Sequence, residues 1–88
     1  MKIREGFILR EISGATVAVP TGQLVSEFNA IINLNDPGKF MWELLENNTT
    51  IEEVENKVLE KYNVSEEKAI EVTEKFINNL ENANIIQA

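Results

Sequence analysis

Residues 28–45, FNAIINLNDPGKFMWELL, constrain the fold more than any other stretch, because a strand passes into a helix within them and the turn is chemically explicit. Phe28, Ala30, Ile32 and Leu34 alternate with Asn29, Asn33 and Asn35, which makes one face of a short strand apolar. Ile31 breaks the alternation by placing a large apolar side chain on the other face. Asp36 followed by Pro37 predicts a helix start: the carboxylate accepts from free helix N–H groups, and proline is pre-bent for the first turn. Phe40, Met41, Leu44 and Leu45 then recur at helical spacing, with Trp42 on an adjacent face.

A chain of 88 residues predicts one small domain, residues 1–88, with a modest core. It holds no cysteine and no histidine, which removes disulfides, the common zinc ligands and thiolate nucleophiles. The side chain that titrates nearest neutral pH is missing too. No apolar run reaches the roughly 18 residues of a membrane span, and no charged leader with an apolar core is present. The cytoplasm is the expected compartment.

Charge is uneven. In residues 1–40 the bases Lys2, Arg4, Arg10 and Lys39 balance the acids Glu5, Glu11, Glu27 and Asp36. The net charge of -7 therefore lies in the C-terminal half. Nucleic acid needs a basic footprint, and this chain repels polyanions.

Residues 7–12 and 15–19 are β-prone runs joined by Ser13-Gly14, a spacing that suits a two-residue hairpin, and Pro20 ends the second run. A loop carrying Leu24 and Val25 leads to the third strand. After the first helix, Thr50 with Glu53 forms a capping pair for a second, whose inner face holds Ile51, Val54, Val58 and Leu59. Ser65 caps a third, with Asn84 as a left-handed stop that folds Ile85 back toward Leu80.

On this third helix Ala69, Thr73, Phe76, Leu80 and Ala83 fall within about 80° of one another and suffice as a core stripe. Ile70 and Ile77 flank it on one side, and Val72 flanks it on the other beside Lys68 and Lys75. Each flank reads equally well as a widened core or as the wall of a groove. Glu52-Glu53 and Glu66-Glu67 sit in first helical turns, where negative charge is favoured. Trp42 and Tyr62 read as core residues or partner-facing anchors, with the core favoured for Trp42. No serine has a histidine base, and Gly22 and Gly38 form no phosphate loop, so no catalytic constellation emerges.

The succession VAVPTG (17–22), FNAIINLN (28–35), GKFMWELLE (38–46), TIEEVENKVLEKYNVSEEKA (50–69) and FINNLENANII (76–86) resembles the pyrroloquinoline quinone biosynthesis protein D family over nearly the whole chain. Leu34-Asn35, Gly38 and the run Trp42-Glu43-Leu44-Leu45 carry most of the likeness. Pro37 stands where a small polar residue is commoner, and Asn84 where glycine often ends the last helix. The resemblance implies an α+β, winged-helix-like fold, a three-stranded antiparallel sheet followed by three helices. It also implies a peptide chaperone that binds the leader of a ribosomally made precursor as an added strand and presents it to a modifying enzyme, often a radical S-adenosylmethionine protein. The matching positions are Ala30, Ile31, Ile32, Asn33 and Leu34 for the strand edge, and residues 68–77 for the groove wall.

The residues are physically suited to that role. An edge strand offers unpaired backbone groups to an extended peptide of any sequence, so selectivity must come from side-chain pockets. Ile31, Ile70, Val72 and Ile77 are the spare apolar residues for such pockets, and Lys68 and Lys75 are suited to an acidic leader residue. The rival readings are a non-catalytic protein–protein adaptor and, against the charge, a winged-helix nucleic-acid module. No cofactor is expected. Metal analysis of the purified protein should find no stoichiometric zinc or iron, since the ligand types that hold them tightly are lacking.

Overall fold

Ser13 and Gly14 both take positive φ, 52° and 83°, the backbone of the two-residue turn whose twist matches a hairpin. They join β2 (Phe7–Ile12) to β3 (Ala15–Pro20), with Ile12 opposite Ala15 and Phe7 opposite Pro20. The computed structural model describes residues 1–28 and 31–87. β1 (Lys2–Ile3) precedes the hairpin; α1 (Leu24–Glu27), β4 (Ile32–Leu34), α2 (Asp36–Leu45), α3 (Ile51–Tyr62), α4 (Glu66–Asn82) and β5 (Ile86–Gln87) follow it. β2, β3 and β4 form an antiparallel sheet in that order, and β1 pairs with β5 as a separate ribbon. The architecture is the expected α+β arrangement of a three-stranded sheet followed by helices.

Strand alternation gives the sheet two different faces. Phe7, Leu9, Ala18, Ile32 and Leu34 face the helices and belong to or pack on the core. The outer face carries Ile8 opposite Val19 and Arg10 opposite Val17. Extending the β3–β4 register by one residue brings Ile31 opposite Val19. Ile8, Val19 and Ile31 thus form a row across the outer face, with Ile8 and Ile31 exposed.

The helices bury one face each: Met41, Trp42 and Leu45 from α2, Val54 and Val58 from α3, and Ala69, Thr73, Ile77 and Leu80 from α4. Thr50 accepts from the Glu53 N–H and Ser65 from the Lys68 N–H, so α3 and α4 start where the caps predict. α4 ends with Asn84 at φ 63°, the Asn84 N–H donating to Glu81 and the Ile85 N–H to Leu80. This paired closure buries Ile85 against the core.

Four features differ from the sequence expectation. The cap of α2 is Asn35, whose Oδ1 accepts from the Gly38 N–H at 2.8 Å, so Asp36 is the first helical residue and Pro37 the second. Proline costs nothing there, since its missing N–H lies among those without intrahelical partners. The third strand is shorter than read: it covers Ile32–Leu34, and Phe28 instead follows α1 and packs its ring on Phe7. The loop before it contains α1, which buries Leu24 and leaves Val25 exposed. The β1–β5 ribbon carries no sequence signal, because two residues per strand show no periodicity.

Trp42 is fully buried and meets Phe7 edge-on, with ring centroids 5.6 Å apart. It is the core wedge rather than a surface anchor. Its indole N–H finds no acceptor among the described residues. Trp42→Ala should cost about 3–5 kcal/mol in denaturant unfolding. Trp42→Phe should cost clearly less, because it keeps an aromatic edge contact and removes the unpaired donor.

Burial and repulsion from Glu74 and Glu52 push the Glu55 carboxyl above its ordinary value of 4.5. A raised carboxyl pKa means the folded state binds the proton more readily, so its ionised form opposes folding at neutral pH. Glu55→Gln should therefore raise the melting temperature at pH 7. That advantage should shrink as the pH is lowered toward 4.5.

Candidate functional site: a groove between the β4 edge and α4

The sheet order leaves one side of β2 and one side of β4 without a strand partner among the described residues. The two edges are chemically unlike. β2 carries Arg10 and Glu11 within the strand, and charges on an edge discourage pairing with another chain. β4 and the preceding Ile31 carry no charge. The β4 edge is therefore the one suited to receive an extended peptide.

Next to it, Asn33, Leu34, Asn35 and Gly38 share a depression of about 440 Å³ with Phe76 of α4. A second depression of about 330 Å³ continues from Asn35 between the start of α2 and α4. Pro37 and Met41 line it on one side, and Lys68, Glu71, Val72, Lys75, Phe76 and Asn79 on the other. Phe76 belongs to both, so they form one groove running from the strand edge along the helix.

Gly38 sets how closely the walls approach. A Cβ there would lie 2.9 Å from Asn35 Oδ1, 3.4 Å from Phe76 Cε1 and 3.6 Å from Leu34 Cδ2. A methyl group there would press on the cap of α2 and touch the aromatic ring in the groove. This accounts physically for Leu34, Asn35 and Gly38 occurring together: one packs, one caps, and one leaves room for both.

The structure brings together Asn33, Leu34, Lys68, Val72 and Lys75 among the residues singled out from sequence. Ile32 points to the core side, partly buried, and Ile31 stands 54% exposed on the outer face. Ala30 lies outside the described residues. Two expectations need correction. Ile77 is buried in the core and lines neither depression. Ile70 is exposed on the far flank of α4, away from the groove.

Both corrections have one cause. The buried residues of α4 are Ala69, Thr73, Ile77 and Leu80, so the packed face is rotated by about 40° toward Ile77 from the stripe read in the sequence. That rotation exposes Ala83 and swings Phe76 out into the groove. Phe76 therefore carries no sequence signal as a groove residue, and Pro37 and Met41 carry none because they come from another helix. Only the packing of α4 distinguishes Phe76 from a core residue.

Charge in the groove is locally reversed. Lys68 Nζ lies 3.8 Å from Glu71 Oε1, a loose and exposed pair. Lys75 forms no ion pair among the described residues. Elsewhere, Tyr62 packs edge-on against Phe40 with Lys61 over both rings, on a separate surface lined by Asp36 and Glu43. Among the described residues, no group of three or more acidic side chains is placed to hold a metal, and no helix is long and apolar enough to cross a membrane.

A solved structure described as TbiB1 in complex with the TbiA(beta) leader peptide superimposes with a TM-score of 0.77, covering 100% of this chain and 96% of that one. Sequence identity is 20%, so the likeness is one of fold. No curated protein matches the chain significantly in sequence. The model of the family described as coenzyme PQQ synthesis protein D (PqqD) matches residues 7–86, from the first strand of the sheet to the last ribbon strand. The chain belongs to the PqqD family.

Proposed function

We propose that this chain is a non-catalytic peptide chaperone of the cytoplasm. It binds the leader of a ribosomally made precursor as a strand added to β4 and presents the precursor to a modifying enzyme, a radical S-adenosylmethionine protein. The observation that carries this reading is the uncharged free edge of β4 opening directly onto the groove beside α4. Family membership supports it, as does the likeness in fold to a protein solved with a leader peptide.

Energetics say where affinity must come from. Each backbone hydrogen bond to the edge contributes about 0.5–1.5 kcal/mol net, while ordering a peptide residue costs about 1–2 kcal/mol. These nearly cancel. The surplus comes from apolar side chains placed against Phe76, Val72 and Pro37, at about 25 cal/mol per Å² buried. The net charge of -7 opposes the nucleic-acid alternative.

Titration with a cognate precursor leader peptide should shift the amides of Ile31, Ile32, Asn33 and Leu34 most, with a second set along α4 from Lys68 to Phe76. Proline at Ile31 or Asn33, whose N–H groups share one direction, removes one edge donor where that direction is the free edge, and leaves the core filled. That variant and Val72→Asp should each weaken micromolar binding, about 8 kcal/mol, at least tenfold while the fold persists. Shifts confined to α3, or binding that survives both changes, would favour the adaptor instead.

A further inference from the structure

We propose that the groove selects a peptide with an acidic residue an even number of positions from an apolar anchor, and that Lys75 is the residue that reads the acid. The inference rests on the strand-addition reading above. Lys68, Val72, Lys75 and Asn79 follow one another at helical spacing along α4 and line the same depression. Phe76, beside them, reaches the β4 edge. An apolar anchor therefore lies nearest the edge, Lys75 stands level with it but farther around the helix, and Lys68 lies about two turns toward the helix start.

The two lysines are not equivalent. Lys68 already has Glu71 at 3.8 Å, whereas Lys75 has no carboxylate within ion-pair distance among the described residues. The chain as a whole carries -7, so an acidic peptide is repelled by most of α3 and α4, while Lys68 and Lys75 outnumber Glu71 in the lining of this groove and attract it. Complementarity of charge at a fixed place in the groove favours one register over its neighbours.

The parity follows from strand geometry. Successive side chains of a strand point to opposite faces, so only alternate residues of an added strand share the side of Leu34, Phe76 and Val72. The intervening ones share the outer face with Ile31. An acid two or four positions from the anchor meets the α4 wall. At one or three positions it points away.

Panning a phage-displayed library of random dodecapeptides on the wild-type domain tests this. Enriched sequences should hold Asp or Glu two or four residues from an aliphatic or aromatic residue. In fluorescence titrations of the leading peptide, moving the acid by one position should weaken binding about two- to fivefold, the range of an exposed ion pair, and high salt should erase the difference. Lys75→Glu, at an exposed site, should switch the preference at that position to Lys or Arg. Lys68→Glu should change it less.

Acid enriched without regard to parity, no acid enrichment, or a larger effect at Lys68 than at Lys75 would overturn the proposal. Proline at the outward-facing position of β4 separates the two claims. If it abolishes binding while the acid walk is flat, strand addition stands and the acid readout falls. If no peptide is enriched, or the proline variant binds normally, strand addition fails and the parity rule with it.

Discussion

The hydrogen bond from the Gly38 N–H to Asn35 Oδ1, 2.8 Å long, ends a strand and begins a helix at the same place. Because Asn35 follows Leu34 directly, α2 starts beside the last residue of β4 with no intervening loop. The free edge of the sheet and the first turn of the helix become neighbours. Replacing such a cap with a residue that cannot accept typically costs about 1 kcal/mol, but here the loss reaches further than stability. The same side chain is a wall of the groove, and the glycine it binds is what lets Phe76 come close.

The other wall depends on how α4 is turned. Ala69, Thr73, Ile77 and Leu80 face inward, which leaves Phe76 and Val72 only partly covered. Thr73 is fully buried with its hydroxyl unpartnered among the described residues. An aliphatic residue of the same shape would satisfy the core better. The helix thus holds a polar residue at the centre of its packed face while two apolar ones stand at the margin. That placement is poor for stability and well suited to contact with another chain.

Local chemistry made much of this readable. Ser13-Gly14, Thr50 with Glu53, Ser65 and Asn84 each act through bonds within a few residues, and the backbone follows them. Asn35 and Asp36 are equally good acceptors in sequence, and the choice between them was decided by which oxygen reaches Gly38. The rotation of α4 is a tertiary matter: Phe76 and Ile77 are adjacent large apolar residues, and periodicity alone does not say which turns inward. Lys68, Val72 and Lys75 could be placed on one flank because they are spaced for it. Pro37 and Met41 could not be joined to them, since they come from another helix.

Ile31 is a member of the row that begins with Ile8 and Val19, and it stands at the margin of the sheet. A strand joined to β4 would set its own outward side chain in the next place of that row. In the strand-addition reading, three aliphatic positions would become four with no change in the domain itself. The breadth of the oily outer face would then depend on occupancy, and a third protein resting there would meet a composite surface made by both chains.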